Sequence, residues 1–119
     1  MTKSTKSLSL GAVVLLVGCA AAPKPIYHWG NYQQTVYQYH QGGKTSPDEQ
    51  IAALKKCLEK THATAKKVPP GLHAHLGLLY VNTGRTDLAF QEINQEKKLF
   101  PESAPYMDSL LSKIKGETK

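Results

Sequence analysis

Glycine and proline cut this chain into stretches of helical length. Gly42-Gly43, Pro69-Pro70-Gly71, Thr83-Gly84-Arg85, Pro101 and Gly116 are the cuts. Between them apolar residues recur at spacings of three and four, and no alternating pattern of useful length suggests a strand. The expected fold is therefore all-α, with helices that turn back on one another at each break.

Five helices are expected. The first runs from Trp29 to about His40, with Trp29, Tyr32, Val36 and Tyr39 on one face. The second starts at a capping box, Ser46 with Glu49, and has Pro47 at the first helical position. Its inner face is Ile51, Leu54, Leu58 and Ala65, with Cys57 beside it, and Pro69-Pro70-Gly71 stops it. The third, about Leu72 to Asn82, is apolar nearly all round, as a helix sandwiched between neighbours is. The fourth, about Asp87 to Phe100, turns Leu88, Ala89, Ile93 and Phe100 inward. The fifth carries Tyr106, Met107, Leu110, Leu111 and Ile114 and ends before Gly116.

Ahead of the helices lies an address. Lys3 and Lys6 precede a mostly apolar stretch from Leu8 to Val17, within the size of a signal-peptide core and too short to span a bilayer. It ends in Leu16, Val17, Gly18 and Cys19, which resembles the lipobox of bacterial lipoproteins. The resemblance implies that residues 1–18 are a signal peptide and that Cys19 carries lipid. Ala20, where an Asp would retain the protein at the inner membrane, then implies the periplasmic face of the outer membrane. Residues 19–26, with Pro23 and Pro25, read as the lipidated cysteine and a short tether, at most roughly 25 Å long when extended. Residues 27–116 form the helical domain and 117–119 a frayed tail.

From Pro70 to Ser103 the chain resembles one tetratricopeptide repeat. The matching residues are Leu76, Gly77 and Tyr80 in the first helix, Gly84 at the turn, Ala89 in the second helix and Pro101 after it. Gly77 and Ala89 let two antiparallel helices approach closely, Leu76 and Tyr80 fill the seam, and Gly84 permits the turn. His73 and Glu96 depart from the pattern, the second at a position that is usually small, which argues for looser packing there or an atypical neighbour. The first two helices resemble a degenerate copy, so the fold would be about two repeats, the first degenerate, plus a C-terminal capping helix. Such a fold implies a concave groove lined by Tyr27, Gln34, Tyr37 and Gln38 from the degenerate unit and by Ala74, Leu78, Val81 and Asn82. Tyrosines and amides around an apolar floor suit an extended peptide or a partner helix. Leu78 and Val81 equally suit a core position under the fifth helix, and the sequence leaves both readings open.

The mature chain also resembles a family of small outer-membrane lipoproteins whose domain has no assigned function. The lipobox, the aromatic and amide-rich segment from Tyr27 to Tyr39, and the hairpin from Gly77 to Pro101 carry that resemblance. Members are often encoded beside a lipoprotein similar to CsgG, the curli secretion channel. This implies a lipid-anchored adaptor or accessory subunit in an outer-membrane lipoprotein assembly, with an envelope protein, such as a CsgG-like lipoprotein, as partner. A regulator of a peptidoglycan synthase and a structural envelope subunit are the alternatives. The short tether favours a site close to the outer membrane and so the adaptor.

Catalytic arrangements are not evident, and no enzyme activity, cofactor or metal is expected. His73 and His75 are two residues apart and fall on different helix faces. No Gly-rich phosphate loop and no Gly-x-Ser-x-Gly occurs. The formal charge of +6 falls to +4 when Lys3 and Lys6 leave with the signal peptide, a mild bias that in the periplasm does not mark a nucleic-acid binder. With Cys19 committed to lipid, Cys57 is the only free thiol. It is expected to be a small buried residue, an intermolecular disulfide or a reactive thiol being the alternative.

Overall fold

The structure, a computed structural model, describes residues 23–117. The lipobox residues Leu16, Val17, Gly18 and Cys19, together with Ala20 and the last two residues, lie outside the described residues. Five α-helices follow in order: α1 (Tyr32–Gln41), α2 (Pro47–His62), α3 (Leu72–Asn82), α4 (Thr86–Leu99) and α5 (Ala104–Glu117), with one turn of 3-10 helix at Pro101–Ser103 before α5. Among the described residues there is no strand, only an isolated parallel bridge between Tyr27 and Lys67. The fold is all-α, and consecutive helices pack as antiparallel hairpins in a tetratricopeptide-like arrangement. No helix of the described residues is long and apolar enough to cross a membrane.

The α3–α4 hairpin is the tightest part. Residue 77 on α3 faces residues 89 and 93 on α4, and Gly71 faces Glu96, so the helices run antiparallel. A Cβ added at Gly77 would lie 2.7 Å from Ile93 Cγ1 and 3.4 Å from the Ala89 carbonyl oxygen. Only glycine permits this crossing. Gly84, at φ +73, makes the turn between the two helices in the left-handed region that glycine enters without cost. Leu76, Tyr80 and Ala89 are buried around the crossing.

Two apolar clusters form the interior. Ile51, Leu54 and Cys57 of α2 pack with Leu72, Leu76, Leu79 and Tyr80 of α3 and with Ala89. Ile93 of α4 packs with Met107 and Ile114 of α5. Val81 touches both clusters and joins them. α5 lies antiparallel on α4: Lys97 donates to Asp108 at 2.5 Å, and Lys115 stands over the Phe90 ring near the other end.

Several sequence expectations change. α1 begins at Tyr32, so Trp29 precedes it; Gly30, at φ +47, interrupts the chain between them. Thr35 is the fully buried residue of α1, and Tyr32 and Tyr39 pack on the core beside it. α2 keeps its capping box, with the Glu49 amide donating to Ser46 Oγ at 3.2 Å and the Ser46 amide donating to Glu49 Oε2 at 2.8 Å. It ends at His62 rather than near Pro69, which leaves Ala65 exposed in a turn. There the Thr61 hydroxyl donates to the Cys57 carbonyl and the Thr64 hydroxyl to that of Thr61, local bonds that compete with helix continuation. In α4 the buried positions are Ala89, Ile93 and Glu96, whereas Leu88 is exposed and Phe100 follows the helix. In α5 Tyr106 is exposed, and the helix continues through Gly116 to Glu117.

Candidate functional site

Glu96 explains how α3 begins. The sequence Pro69-Pro70-Gly71 gives α3 no side-chain cap of its own, and Gly71 at the N-cap has φ +92. The Gly71 amide instead donates to Glu96 Oε1 at 2.6 Å, and the Ala74 amide to Glu96 Oε2 at 3.3 Å. A carboxylate from α4 thus satisfies the first turn of α3 and meets the positive end of its dipole. Of the two expectations at Glu96, looser packing or an atypical neighbour, the structure shows the second: the side chain is 2% exposed and engaged by the start of α3. Tyr32 arrives at the same place from α1. A Cβ on Gly71 would come within 2.5 Å of its hydroxyl oxygen. Burial, with the Glu96 charge second, raises the Tyr32 pKa above its ordinary 10.0, so the hydroxyl stays neutral.

From that junction a row of rings joins α1 to α3. Trp29 stacks on Tyr32, with centroids 6.1 Å apart. Tyr32 and Tyr39 both meet His75 edge-on, at 6.4 Å and 5.1 Å. Burial, with His40 second, lowers the His75 pKa below its ordinary 6.5. His75 Nε2 is buried with no hydrogen-bond partner among the described residues. His73 points to the other side of α3, where its Nδ1 lies 2.5 Å from Glu92 Oε2. The two histidines therefore never converge, and among the described residues no group of three or more His, Cys, Asp or Glu gathers as metal ligands would.

The residues assigned to the groove from sequence separate into groups. Gln34 and Tyr37 are exposed on α1, Tyr37 at 58%, and Gln38 is half-buried beside them. The Gln41 amide donates to the Tyr37 hydroxyl at 2.6 Å. Asn82 at the end of α3 donates to the Tyr39 hydroxyl at 3.2 Å and so ties α3 to the side of α1 opposite Tyr37. Leu78, on α3, is half-buried. Ala74 and Val81 pack against the α5 cluster, so they are core on that side rather than free groove floor. Tyr27 lies elsewhere, in the segment bridged to Lys67.

The structure adds a region that the sequence did not suggest. Residues 26–28 run back along the linker between α2 and α3: the Lys67 amide donates to the Ile26 carbonyl at 2.8 Å, and the His28 amide to the Lys67 carbonyl at 2.9 Å. Cys57 lies beneath this strap, with its Sγ 3.7 Å from the Trp29 carbonyl oxygen and 3.9 Å from that of His28. Burial is the main cause that pushes the Cys57 thiol above its ordinary 9.0. A protonated, covered thiol is a poor nucleophile. A cavity of about 570 Å³ opens beside the strap, lined by Tyr27, His62, Lys66, Lys67, Leu99 and Phe100 among others. Nothing local in the sequence signals the pairing of Ile26 with Lys67, because the two stand some forty residues apart and the contact is made by backbone alone.

Residues 26–110 match the family described as a domain of unknown function, DUF4810. No curated protein and no solved structure gives a significant match. The match covers most of the chain, from the strap through the first half of α5, and the chain belongs to that family.

Proposed function

We propose that this DUF4810 protein is a lipid-anchored adaptor on the periplasmic face of the outer membrane. In this reading Cys19 holds lipid, and the exposed face of α1 holds a partner protein of the envelope, such as a CsgG-like lipoprotein. It acts by binding rather than by catalysis. The observation that carries the reading is the exposed ring of Tyr37 on α1, with the exposed Gln34 one turn before it and the Gln41 amide bonded to its hydroxyl. A tyrosine of this exposure offers a rigid apolar surface with a hydrogen-bonding tip, and amides beside it can satisfy the backbone of an extended peptide. The lipobox at residues 16–19 supports the location.

The test is a crosslinking pull-down from outer membranes with the acylated, C-terminally tagged chain. Tyr37→Ala and Leu78→Ala are compared with the wild type, and binding is normalised to folded protein. One dominant partner that is lost with Tyr37→Ala while the fold is kept supports the adaptor. Recovery of that partner at the wild-type level by Tyr37→Ala sinks the exposed face of α1 as its site.

A further inference from the structure

The lysines are unevenly placed. From Lys55 to Lys67 there are five lysines against the single acid Glu59, a surplus of +4. That equals the net charge of the whole chain after residue 18, so the remainder is balanced. The structure gathers these lysines around the strap. Lys56 and Lys60 line one cavity with His28, Gly30 and Asn31, and Lys66 and Lys67 line the other with Tyr27. All four are exposed. In the same segment Ile26 of the strap is 65% exposed, and Trp29, which follows it, is 37% exposed.

We infer that this face is a docking surface for a bilayer bearing anionic phospholipid headgroups. The inference rests on the anchoring part of the proposed function. Six residues stand between Cys19 and Ile26, and the strap bonds pin Ile26 to Lys67. The anchor therefore enters the domain at this face and holds it within about 25 Å of the membrane. Lysines near an anionic surface are attracted to it, roughly fivefold in binding for each. An exposed tryptophan and isoleucine suit the headgroup region, where amphipathic rings settle. Trp29 also stacks on Tyr32 at the start of α1, whereas Tyr37 stands further along that helix and away from the lysines, so docking leaves Tyr37 open to a partner.

Trp29 is the only tryptophan, so its fluorescence reports this face alone. The acylated chain, extracted from membranes, is reconstituted in vesicles of brominated phosphatidylcholine with and without phosphatidylglycerol. Two triple variants are compared: Lys60→Glu, Lys66→Glu and Lys67→Glu on the face, and Lys44→Glu, Lys113→Glu and Lys115→Glu away from it, with equal changes in net charge. Circular dichroism confirms the fold of each. The expected result is strong quenching of Trp29 with phosphatidylglycerol, reversed by high salt. The face triple abolishes it, with a docked-to-free ratio down at least about a hundredfold, and the distal triple leaves it largely intact. No response to phosphatidylglycerol, or an equal response in both triples, overturns the docking surface. The mass of the Cys19 peptide reads the anchor separately: a peptide without acyl chains overturns the anchoring and this inference with it.

Discussion

The α3–α4 hairpin and the α1 helix attach to the same core by opposite means. α3 and α4 meet backbone to backbone at Gly77 and Ala89, and a buried carboxylate locks the end of the crossing. α1 has one fully buried residue, Thr35, and otherwise leans on the core through the rings of Tyr32 and Tyr39. A small-residue crossing has a single good register, because any added atom collides. A ring contact leaves edges and polar tips at the surface and tolerates small shifts. One half of the molecule is thus suited to fixing the fold and the other to meeting something outside it.

The strongest way to break that contrast is Gly77→Leu. The new side chain must pass within contact distance of Ile93, and overpacking of this kind costs about 3 kcal/mol or more. Urea denaturation should show the whole domain destabilised, with α1 lost together with α3 and α4. Glu96→Ala comes next. It leaves the Gly71 and Ala74 amides unpaired at a buried helix end, at a cost of about 2–3 kcal/mol. Glu96→Gln, which retains one acceptor, should cost about half as much. Recovery of full stability by the glutamine would show that charge on the α3 dipole is unimportant.

Tyr39→Ala removes a half-buried ring, its edge contact with His75 and the Asn82 bond, and should cost about 1–2 kcal/mol. Here the loss should be local. α1 should loosen while the near-ultraviolet signature and denaturant midpoint of the α3–α4 hairpin stay close to wild type. The smallest effect concerns pH. The folded state holds His75 below its ordinary 6.5, so the unfolded chain takes up its proton first as the pH falls. Stability contributed by a neutral His75 is complete above about 6.5 and is lost as the pH drops below it. His75→Leu should flatten that part of the stability curve, measured as the difference from wild type in denaturant midpoints between neutral and mildly acidic pH.

How legible all this was in the sequence follows the range of the interactions. The capping box of α2 needs only Ser46 and Glu49, three residues apart, and was readable as it stands. The close crossing at Gly77 and Ala89 was readable through the spacing of small residues in the hairpin. Glu96 stood out as a departure that meant loose packing or an atypical neighbour, and the choice was not readable because its partners lie more than twenty residues away. A signal was present nonetheless: α3 starts after Pro-Pro-Gly with no side chain of its own to cap it, so a remote acceptor was owed. Trp29 was placed in α1 on periodicity, although Gly30 beside it carried the warning of a break. The groove divided because periodicity puts Ala74, Leu78 and Val81 on one stripe but does not say that α5 will cover parts of it. The strap was out of reach, since its bonds use backbone atoms that any residue has.

The central claim is that the hairpin fixes the fold while α1 is held loosely enough to serve as a binding face. Native-state hydrogen exchange of the mature chain tests it most directly. The account predicts that amides of α3 and α4 around Leu76, Leu79, Ala89 and Ile93 exchange only through global unfolding, and that those of α1 around Thr35 and Tyr39 open locally at several kcal/mol less. Equal protection of α1 and the hairpin, changing together with denaturant, would contradict it.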